Sequence, residues 1–314
     1  MTRNITFRPG ILPPEPGRPR LRLRDFLTGE TPAPAVQQPP AAVDYESGID
    51  FPMYGNDVCG DCGPAGCGHV VQSLTTYGQG KTVTVTEDTV LGFYSAISGY
   101  VPGDPSTDVG VNLQDMLQYW RKNDFGGHEI LAFAEVDISN PAEVKLAIDL
   151  FDAVITGIRL PQSAMDQFNA HEIWDVVRGS RNLGGHCVPF FGYGNGLYKG
   201  VTWGAVQAMT EAFRRKYVGE GWIIITPDWL NAKGQSPTGL DLYGLGQALA
   251  ALTGDPNPIP KPQPAPVPSP PPRPTPSPVP AVDPRLVQAA ALTRQADELM
   301  QEWARENNAT PNRG

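Results

Sequence analysis

Four cysteines and four histidines are the side chains of this 314-residue sequence best suited to nucleophilic, base or metal chemistry. Cys59, Cys62 and Cys67 crowd into nine residues within Gly55-Asn56-Asp57-Val58-Cys59-Gly60-Asp61-Cys62-Gly63-Pro64-Ala65-Gly66-Cys67-Gly68-His69. Three clustered thiols in a chain this poor in cysteine point to chemistry or metal rather than to disulfide stapling. A zinc reading would use Cys59, Cys62, Cys67 and His69, but a closed structural site normally takes its second ligand pair from a separate loop or helix face. On a helix, Cys67 and His69 are two residues apart and point to different sides. The stronger reading makes Cys62 a nucleophile at a helix N-terminus, where unpaired N–H groups and the macrodipole favour a thiolate. Asn56, six residues upstream in a Gly-rich loop, is placed to offer its amide to an oxyanion.

A nucleophilic thiol needs a base. His69 lies seven residues beyond Cys62, ~10.5 Å along a helix axis at ~1.5 Å per residue, and is a core or helix-face histidine. His186 opens the run Gly184-Gly185-His186-Cys187-Val188-Pro189-Phe190-Phe191-Gly192-Tyr193-Gly194. At the start of a buried strand its ring would be rigid and shielded, as a general base requires. His128 and His171 sit in polar, loop-like stretches and are expected at the surface.

The elements that must position these groups follow from periodicity and punctuation. Helices are expected over 65–77, capped by Asp61 with Pro64 in the first turn, and over 87–100, 113–122 and 141–151. Strands are expected over 129–136, 153–160, 186–193 and 221–226. Gly194-Asn195-Gly196 reads as a hairpin turn into 197–203. The stretches 206–217 and 240–252 read as helices. Helices come first and strands later, so the fold class is α+β.

With these residues in place the chain resembles the papain-like cysteine peptidases. Asn56-x-x-Cys59-Gly60-x-Cys62 is similar to the motif in which an oxyanion Gln stands six residues before the nucleophile. Gly185-His186-x-Val188 followed by Gly192-Tyr193-Gly194 resembles the strand carrying the catalytic histidine. Thr202-Trp203-Gly204 resembles the Ser-Trp-Gly after the orienting Asn, and Gly219-Glu220-Gly221-Trp222-Ile223-Ile224-Ile225 resembles the final strand. The departures are Asn56 for Gln, Gly63 for an aromatic residue, and Val201 at the position of the orienting Asn. The resemblance implies a helical half carrying Cys62 and an antiparallel-sheet half carrying His186. It implies hydrolysis of a peptide or amide bond without a cofactor or metal. Cys62 would be the nucleophile, His186 the base, Asn56 an oxyanion donor, Thr202 a candidate orienter of the ring, and Trp203 a shield against water. The substrate would be a peptide or a peptidoglycan peptide, and the branch a divergent bacterial or phage one. The alternative is a catalytically degenerate structural or accessory module of a virion or other assembly.

Composition sets the frame. The formal charge is −9, with 24 basic and 33 acidic residues, which argues against a broad phosphate-reading surface and so against a nucleic-acid partner. No run of about 18 apolar residues is present, so no membrane span is expected, and the first residues do not read as a signal peptide. The expected location is therefore the cytoplasm of the producing cell, or a virion. Of 34 prolines, nine fall in 1–42 and fifteen in 256–284. This partitions the chain into an extended arm (1–42), a globular domain (43–254), a polyproline linker (255–282), an amphipathic helix (283–306) and a tail (307–314). The helix, with Ala289, Leu292, Ala296, Leu299 and Trp303 at 3-4 spacing, is expected to dock on a protein partner. The arm either lies across the domain, packs on a partner, or is a partly ordered tail.

Overall fold

The computed structural model describes residues 7–18, 20 and 39–234, together with the single positions 237, 295 and 301. The expected helix at 240–252 and the linker lie outside the described residues. So does the C-terminal helix, apart from Gln295 and Gln301, which are exposed helical positions.

The helical half is built on α1 (Cys62–Gln79), flanked by α2 (Glu87–Ser98) and α3 (Leu113–Lys122). Almost all of α1 is buried, because its glycines let neighbours close on it from several sides. A Cβ on Gly68 would lie 2.7 Å from the Tyr54 ring, and one on Gly66 would lie 3.2 Å from the Cys187 sulfur. Left-handed Gly80 ends the helix (φ 72°), its N–H turned back to the Thr75 and Thr76 carbonyls. Side-chain caps start the other two helices: Thr86 accepts from the Thr89 N–H, and Asn112 from those of Gln114 and Asp115.

The sheet half contains β1 (Val43–Asp44), β2 (Ala132–Glu135), β3 (Ile155–Pro161), β4 (Asn182–Cys187), β5 (Phe190–Gly194), β6 (Leu197–Thr202), β7 (Ala205–Thr210) and β8 (Val218–Ile225). They form two antiparallel four-stranded sheets, in the orders β1-β5-β6-β7 and β2-β8-β3-β4. Helices α4 (Pro141–Phe151), α5 (Gln162–Asn169) and α6 (Glu211–Tyr217) complete this half. The fold class is α+β, as the sequence implied.

Two local expectations are corrected, and one helix lies where none was expected. The single strand expected over 186–193 is two strands in different sheets: Val188 donates its N–H to Thr156, and Pro189, which has none, marks the crossing. The helix expected over 206–217 is β7 followed by the shorter α6. There Thr210 caps the true helix start by accepting from the Phe213 N–H. Helix α5 was not anticipated.

Candidate active site

Cys62 is the first residue of α1 and is 2% exposed. Asp61, at the N-cap, makes no capping bond with its side chain. Its Oδ1 instead accepts from Asn56 Nδ2 at 3.1 Å, so the candidate oxyanion amide is held by the residue next to Cys62. The Cys62 sulfur accepts the Cys187 N–H at 3.3 Å, which fixes it against β4. Burial pushes the thiol up to about 12, against the opposing pull of the N–H groups of Cys187, Gly63 and Cys62 itself.

Antiparallel pairing of β4 with β3 sets Ile158 opposite His186. The imidazole is 1% exposed. Its Nε2 lies 2.7 Å from Thr202 Oγ1, and its Nδ1 is buried with no hydrogen-bond partner. Placing the proton on Nε2, with Thr202 accepting, leaves the Nδ1 lone pair as the ring's basic atom. Burial brings the ring down to about 3. Thr202 is the last residue of β6, whereas Val201 points to the opposite face of the strand and belongs to the buried core cluster that also contains Cys187 and Phe191. The residue meeting the imidazole is therefore Thr202 and not Val201.

Trp203 stacks on His186 with ring centroids 4.4 Å apart and 16° between planes. It reaches this place through a left-handed backbone (φ 47°), unusual for a bulky residue, in the turn joining β6 to β7. Edge contacts with Phe168 and Trp174 hold the indole there.

The loops on the helical side of the site are braced by Asp108. Its carboxylate accepts the Gly60 N–H (3.0 and 3.2 Å) and the Tyr94 hydroxyl (2.6 Å), while Tyr94 accepts the Gly110 N–H at 2.9 Å. No local pattern marks this brace, because its hydrogen-bonded members lie 14 to 48 residues apart.

The N-terminal arm lies across the site. Gly10 and Ile11 both donate N–H to the Gly185 carbonyl (3.1 and 3.3 Å). Val111 donates to the Gly10 carbonyl, and Leu12 to the Val111 carbonyl, each at 2.9 Å. The Phe7 ring meets His186 edge-on at 5.4 Å. A Cβ on Gly10 would stand 2.6 Å from the Cys62 sulfur. The arm's path over the domain was one of the readings left open; its passage over the thiol was not foreseen.

The remaining candidates are dispersed. Cys59 points to the Gly55 carbonyl, Cys67 to Met116 Sδ, and His69 Nε2 to the Pro52 carbonyl at 2.8 Å, so they do not converge with Cys62. Among the described residues no group of three or more His, Cys, Asp or Glu is arranged to hold a metal ion. His128 is not at the surface: it is 8% exposed, with Nδ1 2.8 Å from Asp228 Oδ2. His171 is exposed, at a left-handed position (φ 59°). No described helix is long and apolar enough to cross a membrane.

No family model and no curated protein matches the chain. Solved structures do. Xylellain, a cysteine protease from Xylella fastidiosa, is 14% identical with a TM-score of 0.52, the match covering 72% of this chain and 98% of that one. The proform of the ragweed pollen allergen Amb a 11, a cysteine protease, is 16% identical (TM-score 0.45; 64% and 69% covered). Digestive procathepsin L 3 of Tenebrio molitor is 12% identical (TM-score 0.44; 60% and 70% covered). The chain has the fold of the papain-like cysteine proteases.

Proposed function

We propose that the protein is a thiol hydrolase cleaving a peptide or amide bond through Cys62 and His186. The observation that carries this reading is the state of His186. The imidazole is held at Nε2 by Thr202 and roofed by Trp203, and it keeps Nδ1 unengaged beside the strand residue whose N–H binds the Cys62 sulfur. Nδ1 takes the Cys62 proton and the thiolate attacks the substrate carbonyl. The Cys62 N–H and the Asn56 amide receive the oxyanion, and His186 returns the proton to the leaving amine. Water then enters, gives its proton to His186, and hydrolyses the thioester. The carbonyl of Gly185 and the backbone of Val111 offer pairing to an extended strand, which favours a peptide as substrate. No step calls for a metal or cofactor.

The test is prolonged incubation of a proteome-derived peptide library with the wild type and with Cys62→Ala, read by mass spectrometry. New termini produced by the wild type and absent with Cys62→Ala are expected. Identical peptide patterns from the two proteins would refute the reading.

A further inference from the structure

The carboxyl of Asp61 stands where the proposed reaction builds negative charge. Asp61 directly precedes Cys62 in the chain and is fully buried. Its Oδ1 accepts one hydrogen of Asn56 Nδ2 at 3.1 Å, which leaves the second amide hydrogen for an oxyanion. Its Oδ2 is buried without a hydrogen-bond partner. The titratable groups facing it are Cys59 in its own loop, Cys62 at the start of α1, Glu87 at the start of α2 and Asp108 in the segment before α3. None of these is a cation. A Cβ on Gly55 would lie 3.6 Å from Asp61 Oδ2 and 3.8 Å from Glu87 Oε1, so two carboxyls look onto the same spot.

A carboxylate in such a place has little to hold it. A buried charge is stabilised by a counter-ion or by several hydrogen bonds, and Asp61 has one amide and its own N–H. Removal of water, with the charges of Asp108 and Glu87, lifts its carboxyl to about 8. The chemistry points the same way. Attack by Cys62 needs a thiolate and then an oxyanion, both beside Asp61. An ionised Asp61 opposes each of them, and its charge is among the causes that raise the Cys62 thiol. A neutral carboxylic acid opposes neither, and its carbonyl oxygen still accepts from Asn56.

We propose that Asp61 is a positioning residue that works as a neutral carboxylic acid: it holds the Asn56 amide for the oxyanion, and loss of its proton to solvent shuts the site down. This rests on the thiol-hydrolase reading for the oxyanion; the effect of the Asp61 charge on the Cys62 thiol stands apart from that reading. The site is then controlled by pH through a group other than the reacting pair.

The test compares wild type with Asp61→Asn, which keeps an acceptor oxygen for Asn56 and cannot ionise, and with Asp61→Ala, which keeps no acceptor. Peptide hydrolysis and iodoacetamide alkylation of Cys62, the latter mapped by mass spectrometry, are followed from pH 6 to pH 9.5. Near-ultraviolet circular dichroism checks the fold at each pH. The ratio of Asp61→Asn to wild type cancels what His186 and Cys62 contribute to both profiles. For kcat/KM and for alkylation alike, that ratio should rise at least tenfold across the range, turning near pH 8. At pH 6, Asp61→Ala should fall at least tenfold below Asp61→Asn in kcat, with KM within threefold. Flat ratios in a protein that stays folded would overturn the proposal, as would equal kcat for Asp61→Ala and Asp61→Asn at pH 6. A rising alkylation ratio without hydrolysis by any of the three proteins would support the role of the Asp61 charge and count against the hydrolase. Hydrolysis with flat ratios would do the reverse.

Discussion

Removing the hydroxyl that faces the imidazole, by Thr202→Val, tests the reacting pair most directly. The change is close to isosteric and leaves β6 intact, so only the 2.7 Å contact with Nε2 is lost. A hydrogen bond between neutral groups is worth ~0.5–1.5 kcal/mol and one to a charged group ~1.5–3 kcal/mol. The bond therefore strengthens by ~1–1.5 kcal/mol as His186 becomes an imidazolium. Only that increment acts on the reaction, because the part present in the ground state cancels. At ~1.36 kcal/mol per tenfold it amounts to a roughly five- to twelvefold fall in kcat/KM. Loss of orientation adds to this, since the ring would then be held by stacking on Trp203 and the edge contact with Phe7. A misplacement of about 1 Å can cost about 10²-fold, which sets the ceiling. The assay is peptide hydrolysis together with the pH profile of Cys62 alkylation. Thr202→Ser should stay within threefold of the parent. A Thr202→Val protein with unaltered kcat/KM and an unaltered alkylation profile would refute the assignment of Thr202 as a positioning residue.

Asn56→Ala should lower kcat by ~10²–10³ if the amide receives the oxyanion, the loss typical of one such donor; a loss under threefold in steady-state hydrolysis would reduce Asn56 to a bracket for Asp61. Asp61 supplies a pH test of stability. Burial raises its carboxyl from 3.8 to about 8, so between these values the native state holds a proton that the unfolded state has released, and stability falls as pH rises through that window. Asp61→Asn abolishes this contribution, so its advantage in Tm over the wild type should grow from pH 4 to pH 8 and then level off; parallel Tm curves would show that Asp61 keeps an ordinary carboxylate in the folded protein.

Much of the scaffold was legible because local signals agreed with one another. Helices α3 and α4 begin and end where periodicity placed them, since Asn112 and Asn140 cap their starts and Pro141 occupies the first turn of α4. The error over 206–217 has a local cause too. Val206 and Met209 fall at a three-residue spacing that a helix would use, yet Thr210-Glu211 is itself a helix start. Non-local pairings were out of reach. His128 finds Asp228 one hundred residues on, and Asp108 braces Gly60 and Tyr94 across three separate segments. The third member of the site shows why motif matching alone stops short. Aligning the chain on its Trp-Gly pair gave Val201 the orienting position. Along a strand, a shift of one residue exchanges the faces, and the turn at Trp203-Gly204 sends Thr202 to the ring and Val201 to the core.

The ionisation state of the site follows from its burial. With the strand in place, Cys62 is pushed up to about 12 and His186 down to about 3, in both cases chiefly by removal of water. Burial therefore favours the neutral thiol and neutral imidazole over the ion pair. The fixed dipoles that would support a thiolate are present all the same: the N-terminus of α1 and the N–H groups of Cys187, Gly63 and Cys62. The arm passes over the Cys62 sulfur as bare backbone, and Gly10, Gly60, Gly110, Gly184 and Gly185 supply the space for it, since a Cβ on any of them would meet a neighbouring atom at under 3 Å.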